Sequence, residues 1–309
     1  MTRSVILGGA GFLGSHLCDL LLENGHEVVV VDDLTSGRLE NLGSSIEENR
    51  VRFMRQSICE SLSIDGNVDF VFNLASPASP PRYMEMQRHT LLTGSIGTKN
   101  GLELAAEKEA RFIQASTSEI YGDPLEHPQK ETYWGNVNPI GPRSCYDESK
   151  RFGEALCIAY ANELKVDIGI ARIFNTYGPR LNPIDGRVIS NMVSQALANE
   201  PITIYGDGSQ TRSFCYVTDL VGGLFVLAAS EHSGPIDLGN PVETTINQLA
   251  EVVIDATGSQ SDIQYLSLPI DDPIRRCPDI FKANALLGWK PEIDLAAGIQ
   301  RTILYFEGK

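Results

Sequence analysis

Short, nearly unbroken apolar runs recur along the chain, at Ser4–Leu7, Glu27–Val31, Val51–Arg55, Asp69–Leu74, Arg111–Ala115 and Asp167–Ile173. Runs of this length and texture suit strands buried on both faces. Between them, apolar residues fall at helical spacing near 12–24, 87–107 and 146–164. Strands that alternate with helices of this length predict parallel pairing, and hence an α/β fold with a doubly wound sheet. After about residue 175 the strands shorten, to Ile202–Tyr205 and Ile236–Leu238, and Pro and Gly become frequent. The change predicts a smaller C-terminal α/β lobe. Residues 1–175 with about 213–240 are assigned to the sheet domain, and 176–212 with about 241–309 to the lobe.

Composition narrows the function. The 309 residues carry a formal charge of −15, which argues against nucleic acid or an anionic membrane as partner. An anionic ligand then needs local arginines or a helix N-terminus. No window approaches the ~18–20 apolar residues of a membrane span. The first strand pattern starts within a few residues of Met1, which leaves no room for a secretory signal. Six cysteines show no CxxC and no paired framework, as expected of reduced thiols in a cytoplasmic protein. Five scattered histidines lack metal-ligand spacing, so no metal is expected.

GGAGFLG (8–14) follows the first strand and opens the first helix, with Gly8, Gly11 and Gly14 in G-x-x-G-x-x-G spacing. Such glycines let backbone N–H groups approach a pyrophosphate at a helix N-terminus. Alone, the loop is only a tight turn. A second strand ending at Asp32 supplies a carboxylate suited to ribose hydroxyls and repellent to a 2′-phosphate. NAD is therefore expected rather than NADP, with Arg38 nearby keeping the alternative open.

SCYDESKR (144–151) places Tyr146 and Lys150 one helical turn apart. A phenol titrates near pH ~10, and making it a base near neutrality takes about 4 kcal/mol. One cation ~4 Å away at an effective dielectric of ~20 supplies about that much. The pair alone is also what any helix can carry by chance. ASTSEIYGD (115–123) gives it context, because it lies at the carboxyl end of the fifth strand, where open α/β sheets place ligands. Thr117 is placed there to hydrogen-bond the hydroxyl that loses its proton.

These residues resemble the extended short-chain dehydrogenase/reductase family over essentially the whole chain. Longer strings are similar to its UDP-glucuronate decarboxylases: NLASPASPPRYM (73–84), EHPQKETYWGNVNPIGPRSCYDESKR (126–151), ARIFNTYGPR (171–180), DGRVISN (185–191), YGDGSQTRSFCYVTDL (205–220) and the tail DDPIRRCPDI…LGWKP (271–291). The resemblance implies a Rossmann-like NAD domain and a nucleotide-sugar lobe in a cytoplasmic homodimer. It also implies the reaction: oxidation at C4 of UDP-glucuronate, or of its dTDP analogue, loss of CO2 from the 4-ketone, and re-reduction to UDP-xylose. Some 4-keto-pentose can escape. The implied catalytic residues are Thr117, Ser118, Glu119, Tyr146, Lys150 and Arg276. For NAD they are Gly8, Gly11, Phe12, Leu13, Gly14, Asp32, Asp33, Ser36, Gly37, Leu74 and Ser76, again with Tyr146 and Lys150. For the substrate they are Pro81, Tyr83, Asn175, Arg187, Val188, Tyr205, Gln210, Arg212 and Arg276.

Ser118 stands where 4,6-dehydratases carry an aspartate that expels a hydroxyl, and loss of CO2 needs no such acid. The bland roles are a turn cap for Glu119 and a surface position for Arg276. Departures from the family pattern fall at Ser57, Leu92, Gly94 and Cys277. They bear on cofactor retention, on uridine against deoxythymidine, and on escape of the ketone. The alternatives are a UDP-glucuronate 4-epimerase, which keeps the carboxylate, and a catalytically silent sugar-nucleotide sensor.

Overall fold

The computed structural model describes residues 1–268 and 275–308. The six apolar runs form strands β1 (Arg3–Leu7), β2 (Glu27–Asp32), β3 (Val51–Arg55), β4 (Phe70–Asn73), β5 (Arg111–Thr117) and β6 (Ile168–Ile173). With Pro235–Leu238 they make one seven-stranded sheet, ordered Pro235–Leu238, β6, β5, β4, β1, β2, β3, with every pair parallel.

The reason the runs lack polar alternation is visible in the packing. Ile6, Val28, Val30 and Phe72 face the helices Phe12–Glu23 and Val217–Ala229, through Leu17, Leu21, Leu220 and Leu224. Their neighbours Val5, Leu7, Val29, Val31 and Phe112 face the opposite layer, through Leu102, Ala105 and Cys157 of the helices Thr98–Lys108 and Ser144–Leu164. Both sides of each strand are thus covered. Each fully buried aliphatic side chain contributes roughly 1.5–3 kcal/mol.

The helix expected over 87–107 is a rod in three parts: Gln87–Leu92, a π turn at Thr93–Gly97, and Thr98–Lys108. Gly94 explains the close fit at the wide turn, since a Cβ there would stand 2.5 Å from the Ser149 Cβ. The departure at Gly94 therefore brings the rod against the helix that carries Lys150.

Polar groups also brace the sheet. Arg172 on β6 donates to both oxygens of Glu154, at 3.0 and 2.8 Å, and to the Tyr121 hydroxyl at 2.9 Å. Tyr121 in turn donates to the fully buried Asp237 at 2.8 Å. Such a network holds its geometry because each member is satisfied.

Between β1 and β4 the strand order reverses. The loops leaving their carboxyl ends, 8–11 and 74–79, open a crevice where ligands of such sheets bind. The smaller pairings are Thr176–Tyr177 with Cys215–Tyr216, Ile202–Tyr205 with Ile263–Leu266, and Arg275–Arg276 and Glu243–Thr245 on either side of Thr211–Ser213. Among the described residues no helix is long and apolar enough to cross a membrane.

Candidate active site

A cavity of about 460 Å³ opens at the carboxyl ends of the strands. A smaller one of about 60 Å³ lies against the glycine loop. Gly8 has φ +81°, and a Cβ on it would meet the Ala75 Cα at 2.6 Å, so only glycine lets the loop pass β4. Gly8, Gly11, Asp32, Asp33, Ser36, Gly37, Leu74 and Ser76 line the smaller cavity, together with Ser57. Asp32 accepts from the backbone N–H of Ala10 at 3.0 Å and of Leu34 at 2.8 Å, which fixes its carboxylate at the rim. Each of its oxygens keeps a lone pair for a ribose hydroxyl. Among the described residues no Lys or Arg lines this cavity. The set fits NAD and, among the described residues, offers no guanidinium or ammonium to a 2′-phosphate. Phe12 and Leu13 line the larger cavity instead. Gly14 lines neither. It seats the helix on the loop, where a Cβ would lie 2.3 Å from the Gly8 carbonyl oxygen.

Thr117, Ser118, Glu119, Tyr146, Lys150 and Arg276 all face the larger cavity. Thr117 ends β5 and caps the short turn Ser118–Tyr121, accepting from the Glu119 N–H at 3.3 Å. Its side chain also hydrogen-bonds the Tyr146 phenol. Lys150 shares the helix face of Tyr146. Its ammonium donates to the Ala115 carbonyl oxygen at 2.8 Å and stands 5.7 Å from the Tyr146 ring centroid. Burial pushes the phenol's pKa up and Glu119 pushes it further, against the Thr117 hydrogen bond and the Arg187 charge. Burial also lowers the Lys150 ammonium to about 8. In this structure burial is the largest influence on both groups, and the ammonium is turned to a backbone oxygen.

Glu119 sits between two guanidinium groups. It pairs with Arg276, and its other oxygen accepts from Arg143 at 2.7 Å. Burial would raise its pKa, but Arg276 and Arg143 outweigh it and hold the carboxyl well below the usual range. The bland readings of Glu119 as a turn cap and Arg276 as a surface residue do not survive, since Arg276 is 3% exposed. Sequence reasoning missed Arg143 and Asp147. Arg143 lies one turn before Tyr146, a spacing that placed it on the same face. Burial and then Glu119 push the Asp147 carboxyl up to about 7, against Arg143. Among the described residues, one Asp147 oxygen and the Tyr83 hydroxyl are buried with no hydrogen-bond partner.

Pro81, Tyr83, Asn175, Arg187, Val188, Tyr205, Gln210 and Arg212 line the same cavity. Arg187 is aimed by Asp185, at 2.7 Å from Nε, and lies 5.7 Å from the Phe12 ring centroid. Of the departures, Ser57 caps its own turn by accepting from the Cys59 N–H at 3.3 Å. Leu92 is exposed on its helix, and the buried Cys277 thiol donates to the Pro241 carbonyl oxygen. Tail residues 271–274 lie outside the described residues.

The sequence matches the NAD dependent epimerase/dehydratase family over residues 4–239. It is 52% identical over 304 residues to UDP-glucuronic acid decarboxylase 1 of Xenopus tropicalis, covering 98% of this chain and 72% of the relative. It is 50% identical over 307 residues to UDP-glucuronic acid decarboxylase 1 of Arabidopsis thaliana, covering 99% and 70%. Among solved structures, UDP-glucose 4-epimerase of Thermotoga maritima with UDP-glucose superposes at TM-score 0.90, with 30% identity and 99% of both chains covered. UDP-glucuronic acid 4-epimerase of Bacillus cereus, in complex with UDP-glucuronic acid and NAD, superposes at 0.88 with 27% identity and the same coverage.

Proposed function

The chain belongs to the NAD dependent epimerase/dehydratase family and, within it, to the UDP-glucuronic acid decarboxylases; from this we infer that it is an NAD-dependent carboxy-lyase converting UDP-glucuronate to UDP-xylose. The observation that carries the reading is the meeting in one cavity of the Thr117–Tyr146–Lys150 set with the Glu119–Arg143–Arg276 cluster.

NAD, held by the Gly8–Gly11 loop and Asp32, would supply the hydride acceptor for oxidation at C4 and the hydride donor for re-reduction. Tyr146 removes the 4-hydroxyl proton, and Thr117, hydrogen-bonded to the phenol, orients that hydroxyl. The 4-ketone so formed is β to the carboxylate, so the C5–carboxyl bond breaks with its electron pair delocalised into an enolate. A proton then returns to C5. Arg276 and Arg143 hold the carboxylate end, and their charges are already shared with Glu119, so the substrate carboxylate is not over-stabilised relative to the neutral CO2 it becomes. Arg187 and Arg212 suit the diphosphate through their planar guanidinium forks.

Incubation with UDP-glucuronate and NAD, followed by NMR of every product, tests the reading. CO2 and a pentosyl nucleotide are expected, whereas a C4 epimer with its carboxylate retained would overturn it. Running dTDP-glucuronate in parallel reads the base preference, and UDP is the proposed choice.

The finer points rest on other features. Residues 1–175 with about 213–240 serve NAD, and the remainder serves the nucleotide sugar. Leu91, Leu92 and Ile96, with Phe152 and Ile158, form an exposed apolar face on neighbouring helices, which a second copy of the chain covers in a homodimer. Light scattering that gives a monomer mass at micromolar concentration would refute this. The six free thiols fit a reducing cytoplasm.

A further inference from the structure

Gln129 is fully buried in the loop between β5 and the helix that carries Tyr146, and each of its four hydrogen-bonding groups is engaged. Three of the four grip the tail just beyond Arg276. The backbone N–H donates to the Cys277 carbonyl oxygen at 2.9 Å, and the backbone oxygen accepts from the Asp279 N–H at 2.6 Å. The side-chain Oε1 accepts from the Cys277 N–H at 2.8 Å. The fourth group, Nε2, donates to the Glu126 carbonyl oxygen at 2.8 Å and so fixes which way the amide points. Arg276 itself pairs with Arg212, and Arg275 before it with Thr211. Arg276 is therefore held between a short strand pairing and one glutamine, with its guanidinium on Glu119 and the Gly122 carbonyl oxygen.

We propose that Gln129 is the positioning residue that sets Arg276 at the carboxylate end of the cavity, and that the Cys277 N–H to Oε1 bond is the part that does so. The proposal rests on the role given to Arg276 above. C4 oxidation depends on Thr117 and Tyr146, which make no hydrogen bond to the described tail residues. Loosening the tail should therefore separate oxidation from completion of the cycle: the ketone still forms, but more of it escapes before the hydride returns.

Two near-isosteric substitutions isolate the bond. Gln129→Met and Gln129→Glu both lose the donor to Glu126, and only glutamate keeps an acceptor for Cys277. The readout is the ratio of released 4-keto-pentosyl nucleotide, with its NADH, to pentosyl nucleotide. It is taken on purified folded protein with UDP-glucuronate, so it does not depend on how much protein is folded. Gln129→Met should raise the ratio roughly tenfold, as expected for loss of a buried acceptor. Gln129→Glu should stay within about twofold of the parent. Arg276→Ala should raise the ratio, and Gln129→Met added to it should raise it no further.

Equal ratios for Met and Glu, a parental ratio for Met, or additivity with Arg276→Ala would each overturn the proposal. So would a Gln129→Met protein that cannot be recovered folded, which would make the clasp a stability element. An Arg276→Ala protein with the parental ratio would strike instead at the role of Arg276, and this proposal would fall with it.

Discussion

The rings of Tyr83 and Tyr146 lie face to face, with centroids 4.9 Å apart and planes 5° from parallel. Stacking fixes the Tyr146 ring without using its oxygen, so the phenol's position and its chemistry are separable. Tyr146→Phe should keep the stack and the fold, losing about 1 kcal/mol with the Thr117 hydrogen bond. Turnover should fall roughly a thousandfold, within the range for a removed general base. Pentosyl nucleotide formation and thermal unfolding of one preparation check both halves. Parental turnover would remove Tyr146 as the base.

Lys150 gives a pH signature. Its pKa of about 8 lies below the 10.5 of an unfolded lysine, so between those values the unfolded chain holds more protons. The penalty of burying the ammonium is full below pH 8 and is relieved as the pH rises to 10.5. Lys150→Met removes that penalty. Its stability relative to the parent, measured without ligands, should be highest below pH 8 and should decline by on the order of 3 kcal/mol toward pH 10.5. A difference that grows with pH would contradict the burial.

Glu119 behaves in the opposite sense. Its pKa is depressed below 4.5, so its contribution is present above that pH and is lost as the pH falls further. Glu119→Gln should leave Arg143 and Arg276 with unneutralised charge, cost about 3 kcal/mol near neutrality, and flatten the acid limb of the stability profile. Urea titrations at pH 7 and at pH 3 measure both effects.

Gly94 and Ser149 form a steric pair. Gly94→Ala should place its Cβ against the Ser149 Cβ, 2.5 Å away, and cost about 1–3 kcal/mol through overpacking. Ser149→Gly removes the obstructing atom, and despite the ~1 kcal/mol cost of a helix glycine the double substitution should be more stable than Gly94→Ala alone. Additive losses in a double-mutant cycle would refute the contact.

The sheet was legible because its strands are covered on both sides, so runs such as Val28–Val31 show no polar alternation. Thr117, Tyr146 and Lys150 were legible because strand ends and helical spacing fix where such side chains emerge. What spacing does not fix is where a long side chain points. Lys150 shares a face with Tyr146 yet directs its ammonium at Ala115. Arg276 meets Glu119 only because a distant tail converges there, and the tail has no period to read, whereas Arg143, one turn before Tyr146, was within reach of helical spacing. The π turn at Gly94 was likewise hidden, since its cause is a contact with Ser149, 55 positions away in the chain.

Arg276 reaches back 157 residues to its partner Glu119. At a synthesis rate of ~10 residues per second, about a quarter of a minute separates their emergence from the ribosome. For most of that interval a nascent chain already holds the glycine loop and the phenol, but the cation that pairs with Glu119 has not been translated. Dinucleotide captured early would favour the part already made by mass action, and competence for the whole reaction would arrive only once Arg276 has been added.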